Sequence, residues 1–425
     1  MHKADINIKN ISKVEGHADL EVKIRGEKVS SVKLKLADNK RFFTQAIRGK
    51  NIHILPQSVS RICGTCSIAH LLCCIEAIEN SLGAEPSEQT RLLRTLTMHG
   101  LMIRDHALHL YLFSLPDVFG KDSVLDFKGE EEKFLHDSFE VKRAGNKLST
   151  LIAGRAVHAP FPMVGGYAQI PEKKGIDNVL KELKAARPLI FKLLEVYSSA
   201  HFDFTRKTNF VALVNDAQYD FLEGKIISTS GEVIEEKDFF KHLKKTVLPY
   251  SQSVGYKFEG SSYMVGALAR LNLNKDRLHK NTKKDADKYI KIFPTSNIFY
   301  NNLAQAIEIL HSIDHSIELL ENSDFKEEEP VNIAPRDCSG VGVIEAPRGT
   351  LYYYLDMTKD GVIRQGRIIV PTQQNQINME RDIKNLVERN IEMERHQLEH
   401  EIEKLIRSYD PCISCATHFL RVNWK

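Results

Sequence analysis

Two short motifs at opposite ends of this chain limit what it can fold into. The first is Arg61-Ile62-Cys63-Gly64-Thr65-Cys66-Ser67-Ile68-Ala69-His70, and the second is Asp410-Pro411-Cys412-Ile413-Ser414-Cys415-Ala416-Thr417-His418. Each is a Cys-x-x-Cys with a histidine close behind. Two residues between cysteines let both sulfurs face one point, which suits a metal, a redox disulfide or a structural zinc. Together the pairs offer four thiolates, a full tetrahedral set for zinc or a soft set for another transition metal. Structural zinc sites usually close a short loop, with pairs roughly 12–20 residues apart. Here nearly the whole chain lies between the pairs, and a core of that size does not need zinc to fold. The spacing favours a buried catalytic metal over structural zinc, and structural zinc over thiol redox chemistry. It leaves all three open.

Composition excludes other classes. With 59 basic and 56 acidic residues among 425, nothing calls for nucleic acid or a charged membrane surface. No stretch approaches the roughly 18–20 apolar residues of a membrane span. The first residues, Met1-His2-Lys3-Ala4-Asp5-Ile6-Asn7, carry no apolar signal core, so a cytoplasmic location is expected. Seven cysteines, four of them in motifs, argue against a disulfide framework. Cys73, Cys74 and Cys338 are expected as small buried apolar side chains.

Periodicity predicts a mainly α, α+β fold: a central bundle of long helices with peripheral β-hairpins. Residues 18–36 alternate apolar and charged around Arg25-Gly26-Glu27-Lys28, a hairpin pattern. Helices are expected at 68–82, stopped by Gly83, and at 86–115, broken by Pro116. Two more are expected at 175–202, kinked at Pro188, and at 297–321. Residues 121–140 read as a charged surface loop with short helical pieces. Residues 210–257 read as a small α+β lobe, with a hairpin at Ser230-Gly231-Glu232 and then a charged amphipathic helix. A second hairpin is expected across Thr358-Lys359-Asp360-Gly361, ended by Pro371-Thr372-Gln373. One or two helices over 377–409 then lead to Asp410. The expected organisation is one large subunit with four regions: 1–60 (N-terminal hairpin), 61–205 (helical core with the first cysteine pair), 206–262 (the lobe) and 263–425 (helices, hairpin and second pair).

The paired motifs, their order and their positions resemble the large subunit of nickel–iron hydrogenases, from Lys13-Val14-Glu15-Gly16-His17 to His418. The large subunit of respiratory complex I is similar to that family but lacks the cysteines. The resemblance implies the hydrogenase large-subunit fold and a nickel held by Cys63, Cys66, Cys412 and Cys415. Cys66 and Cys415 would bridge to an iron carrying carbon monoxide and cyanide. It implies that hydrogen is split heterolytically, with a thiolate, Cys412, taking the proton or Arg348 assisting, Glu15 relaying it, and Arg348, after Pro347, standing above the metals. Asp105, from Asp105-His106-x-x-His109, and Asp410 would hold Arg348. His106 and His109 are expected only to pack or hydrogen-bond. His70 would donate to a bridging sulfur, and Thr372 to a cyanide.

The family commonly binds a magnesium ion through a glutamate ahead of the first cysteine and groups near the C-terminus such as His418. At the matching position here stands Thr44, a weak neutral ligand, so an accessory Mg2+ is in question. Too few cysteines remain for an iron–sulfur cluster. Electrons would therefore leave through an iron–sulfur small subunit, docked near the turn at 63–70, and through any further electron-transfer subunits. A maturation protease acting on the tail after His418, and nickel-insertion factors, are further implied partners. The alternatives are a hydrogen-sensing homologue or a structural zinc protein whose ion is held by the four cysteines.

Overall fold

A computed structural model of the chain describes residues 5–37 and 42–417. Its centre is a set of long helices: α1 (Ser67–Leu82), α2 (Glu88–Ala107), α3 (Glu132–Ala153), α4 (Lys173–Ser199), α5 (Ala267–Asn274), α6 (Asn301–Asn322), α7 (Pro371–Arg389) and α8 (Arg395–Ser408). α1 is apolar on nearly every face and is buried accordingly. It ends where Gly83 takes a left-handed φ of +67°. α2 is packed between α3 and α6 and starts with Ser87 capping the Thr90 N–H.

The strands sit around this bundle. β1 (Ile6–Ile8), β2 (Ala18–Arg25) and β3 (Lys28–Leu36) form one antiparallel sheet in that order. The lobe contains β4 (Asn209–Val214), β5 (Lys225–Ser228), β6 (Val233–Ile234), the hairpin of β7 (Leu243–Val247) and β8 (Val254–Phe258), and β9 (Tyr263–Met264). β9 pairs parallel with β4. The last sheet is β10 (Cys338–Ala346), β11 (Gly349–Met357) and β12 (Ile363–Ile369), antiparallel throughout. One continuous apolar core runs from Ile6 to Ala416, and a smaller one lies between the lobe and the last sheet. No helix among the described residues is long and apolar enough to cross a membrane.

Several expectations need correction. The stretch at 121–140 is not mainly loop, because α3 begins at Glu132 and buries Val141, Leu148 and Ile152. The helix of 86–115 does not break at Pro116. It passes into a π-helical stretch, Leu108–Ser114, and then a short helix, Leu115–Val118. Pro116 lies in the first turn of that last piece, where a missing N–H costs little. The charged helix expected in the lobe is a 3-10 turn (Glu236–His242) followed by β7. Phe239 and Leu243 have helical spacing, but ladder bonds to β8 decide the outcome. The second hairpin ends at Ile369, just before Pro371 as expected, but the helix that follows starts at Pro371 itself and not at 377. Of the spare cysteines, Cys73 and Cys74 are fully buried, whereas Cys338 is only partly so.

β10 lies directly on α1 because glycines alternate along it. A Cβ at Gly342 would collide with the Cys73 carbonyl and lie 2.7 Å from Ala77 N. Gly342→Ala is therefore expected to destabilise the fold by about 1–3 kcal/mol through overpacking. Thermal unfolding reads this directly, and an unchanged midpoint would show that helix and strand can separate freely.

Candidate metal centre

The two cysteine pairs, 349 positions apart, meet in the interior. Cys63 follows a 3-10 turn, Ser60–Ile62, and Cys66 caps the start of α1. Cys412 and Cys415 flank the start of a four-residue helix, Ile413–Ala416. The N-terminal segment fastens the second pair. Glu15 forms a parallel bridge with Cys412, and Ile413 N–H donates to the Glu15 carbonyl at 2.8 Å.

All four sulfurs lie within 4.8 Å of one another. Each cysteine is at most 5% exposed, and none is in a disulfide. Cys63 and Cys412 are 3.6 Å apart, Cys66 and Cys415 3.0 Å, and Cys412 and Cys415 2.9 Å. Hydrogen bonds from Cys412, Cys415 and Cys66 push Cys63 far below the ordinary thiol range. Burial pushes Cys412 and Cys415 well above it. Four thiolates cannot share so small and dry a volume without a cation.

The residues around the sulfurs fall into place. Glu15 Oε2 accepts from the Cys412 thiol at 3.0 Å and from Ser414 N–H at 3.0 Å, with Oε1 3.8 Å from Cys63. Burial, and then the charge at Cys63, raise the Glu15 carboxyl. Arg348 donates from Nη1 to Asp105 at 2.6 Å and from Nη2 to Asp410 at 3.0 Å. Asp105 Oδ1 and Arg348 Nε are buried without a hydrogen-bond partner among the described residues. Such orphaned atoms beside a cysteine cluster are what a missing group leaves behind.

His70 Nδ1 is 2.7 Å from Tyr353 OH, and its Nε2 is 3.6 Å from Cys415 Sγ. The phenol donating to Nδ1 leaves Nε2–H aimed at the sulfur. Thr372 Oγ1 accepts from Cys412 N–H at 2.9 Å, so its own proton is free to be donated elsewhere. A cavity of about 20 Å³ borders Cys66, Cys415, His70, Pro347, Arg348 and Thr372, with apolar walls at Ala69, Leu351 and Val370. That space excludes an organic substrate and suits small diatomic groups. The soft donors, the orphaned atoms and this apolar recess together fit a nickel–iron centre.

Of the residues expected at the accessory site, Thr44 is among the described ones. Thr44 shares a wall with Gln373, whose amide donates to the Ala416 carbonyl at 3.2 Å. His418 lies outside the described residues, as does the tail beyond it.

Sequence reasoning missed several contributors. Tyr353 orients His70. Gln305 donates to Asp410 Oδ2 at 2.9 Å and also meets His109. Arg270 is the largest omission. It is 1% exposed and ion-pairs with Glu308 (2.6 and 2.7 Å) and Glu345 (2.8 Å). It also donates to the carbonyls of Ala346 and Pro347 at 3.1 Å each, holding the turn that carries Arg348. Burial pushes the Glu308 carboxyl up, but Arg270 outweighs it and holds the group at about 2. The one signal is its place at the end of Tyr263-Met264-Val265-Gly266-Ala267-Leu268-Ala269-Arg270, a family-like stretch with no chemistry attached to it. Arg270→Met strands two buried carboxylates and is expected to cost about 3–5 kcal/mol. An unchanged unfolding midpoint would contradict this.

Comparison with known proteins agrees with the geometry. The sequence model of the nickel-dependent hydrogenase family matches residues 41–134 and 200–418, which include both cysteine pairs. The chain is 33% identical to sulfhydrogenase 1 subunit alpha of Pyrococcus furiosus, over 98% of each chain. It is 29% identical to sulfhydrogenase 2 subunit alpha of the same organism, over 98% of this chain and 100% of that one. Among solved structures, an NAD+-reducing [NiFe]-hydrogenase in the H2-reduced state superposes with a TM-score of 0.89 at 23% identity, covering 98% of this chain and 99% of that one. A family model that takes in both halves of the metal centre, and a relative matched from end to end, give one conclusion: the chain belongs to the nickel-dependent hydrogenase family, among its large, alpha-type subunits.

Proposed function

We propose that this chain is the catalytic subunit of a nickel–iron hydrogenase that splits H2 heterolytically into protons and electrons and passes the electrons to an iron–sulfur small subunit. The observation that carries this reading is the convergence of four buried cysteine sulfurs with Glu15 on one side and the Arg348 pair on the other. Cys63, Cys66, Cys412 and Cys415 would hold nickel, and Cys66 and Cys415 would also hold an iron that carries carbon monoxide and cyanide. When bound, that centre supplies the redox chemistry that accepts the electron pair of H2.

The chain's own residues do the rest. Cys412 Sγ takes one proton and hands it to Glu15 Oε2, 3.0 Å away. The raised carboxyl of Glu15 suits it to receive a proton from a thiol and release it outward. Arg348 keeps a fixed positive charge at the small cavity because Asp105 and Asp410 grip both ends of its fork. His70 steadies the Cys415 sulfur. Thr372 offers its hydroxyl toward the apolar recess. The four sequence regions act as one catalytic unit.

The chain's seven cysteines leave too few for a cluster of its own, so electrons leave through the partner. The relatives' names as alpha or A subunits accord with a multi-subunit enzyme. H2-dependent dye reduction should be high for the chain purified with its small subunit and at least about tenfold lower for the mature chain alone. Full activity without a partner would overturn the electron-exit part of this reading.

A further inference from the structure

Away from the sulfur cluster, three histidines converge between α2 and α6. His311 and His315 are four residues apart on α6, so they share one face, and His99 comes from α2. One nitrogen of each ring lies within 4.8 Å of the others. His99 Nε2 and His315 Nδ1 are 3.1 Å apart. That is close to the ligand separation on a tetrahedral zinc with bonds of roughly 2.0–2.1 Å. His311 Nε2–H donates to the Tyr219 carbonyl at 3.1 Å, an outer contact that orients a ligating imidazole and leaves Nδ1 as its lone-pair atom. That Nδ1 now accepts only the His279 N–H, at 3.1 Å, and this is the bond an ion must replace.

Ordinary core packing accounts poorly for His99. The ring is 1% exposed, Nδ1 has no partner among the described residues, and Nε2 meets only another histidine. A buried imidazole whose one contact outside its cluster is the edge of the Phe221 ring, with no hydrogen bond there, carries an uncompensated desolvation cost. We propose that His99, His311 and His315 form a second metal site that binds one zinc ion per chain. It clamps the helix bearing Asp105 to the helix bearing Gln305 and Glu308.

Three features support the assignment. Burial keeps the rings neutral and therefore able to ligate: His99 is pushed well below its usual range, His311 to about 3 and His315 to about 4. Neutral imidazole suits zinc among the divalent first-row ions. An entry path exists, because His315 lies on the wall of a cleft of about 570 Å³ that also holds Asp220, Glu223 and Glu236. The site is independent of the proposed reaction: His99 precedes Asp105 by six positions and His311 follows Glu308 by three, but none of the three histidines hydrogen-bonds to the cysteines, Glu15 or Arg348.

The test uses the mature, assembled enzyme, whose cysteines are already occupied. It is incubated with zinc sulfate, dialysed, and measured for zinc, nickel and iron, with X-ray absorption at the zinc edge. The expected result is one tightly held zinc per chain with nitrogen ligation. In His99→Ala and His315→Gln that zinc should fall roughly tenfold or more, with nickel and iron unchanged. If His99→Ala fails to assemble, the partly exposed His315→Gln decides alone. Wild-type enzyme that retains no zinc, zinc bound by sulfur, or equal zinc in wild type and His315→Gln would each overturn the site.

Discussion

Arg348→Lys is expected to lower H2-dependent turnover by about 100-fold or more while nickel and iron stay at wild-type content. Arg348 reaches Asp105 at 2.6 Å and Asp410 at 3.0 Å from different nitrogens of one rigid plane, and it borders the small cavity. A lysine ammonium is a single point on a flexible stem and cannot grip both carboxylates while facing the cavity. The positive charge survives, so the two buried aspartates are not stranded as they would be in Arg348→Ala, and the fold should hold. The four cysteines are untouched, so metal content separates a positioning effect from failed assembly. Unchanged turnover in a fully metallated Arg348→Lys enzyme would remove Arg348 from the mechanism.

Glu15→Gln is expected to suppress exchange between H2 and heavy water by about 10²–10⁴-fold, again with metals retained. The amide has nearly the same shape and can still accept from Ser414 N–H, now bonded to Oε2 at 3.0 Å. The backbone contacts of residue 15 with Cys412 and Ile413 do not involve the side chain and should persist. What the amide cannot do is take a proton from the Cys412 thiol. Burial and the negative charge at Cys63 both raise the natural carboxyl, which lets it hold a proton at higher pH than an exposed glutamate. Normal exchange in Glu15→Gln would mean that protons leave the sulfurs by another route.

These residues were expected at the cysteines only through the family resemblance, carried by Glu-Gly-His for Glu15, Pro-Arg for Arg348 and Asp-Pro-Cys for Asp410. The helical bundle was legible, since α1 and α6 carry clear apolar patterns. What escaped depends on distant partners. Arg270 takes its meaning from Glu308, Glu345 and two carbonyls, which come from later stretches of the chain. Tyr353 reads as an ordinary strand aromatic until α1 brings His70 against it. The start of α3 was hidden by surrounding charge, and the β7–β8 hairpin by a helical spacing that sheet pairing overrides. The histidine cluster was equally silent, because His99 and His311 are joined only when α2 packs on α6.

The four cysteines are proposed to hold a nickel–iron pair and not a structural ion. Infrared spectroscopy on the purified complex, with metal analysis of the same sample, tests it most directly. Carbon monoxide and cyanide stretching bands are expected, with nickel equal to the iron left after the partner's clusters are subtracted. Sulfur-ligated zinc in stoichiometric amount, without those bands and without nickel, would contradict it.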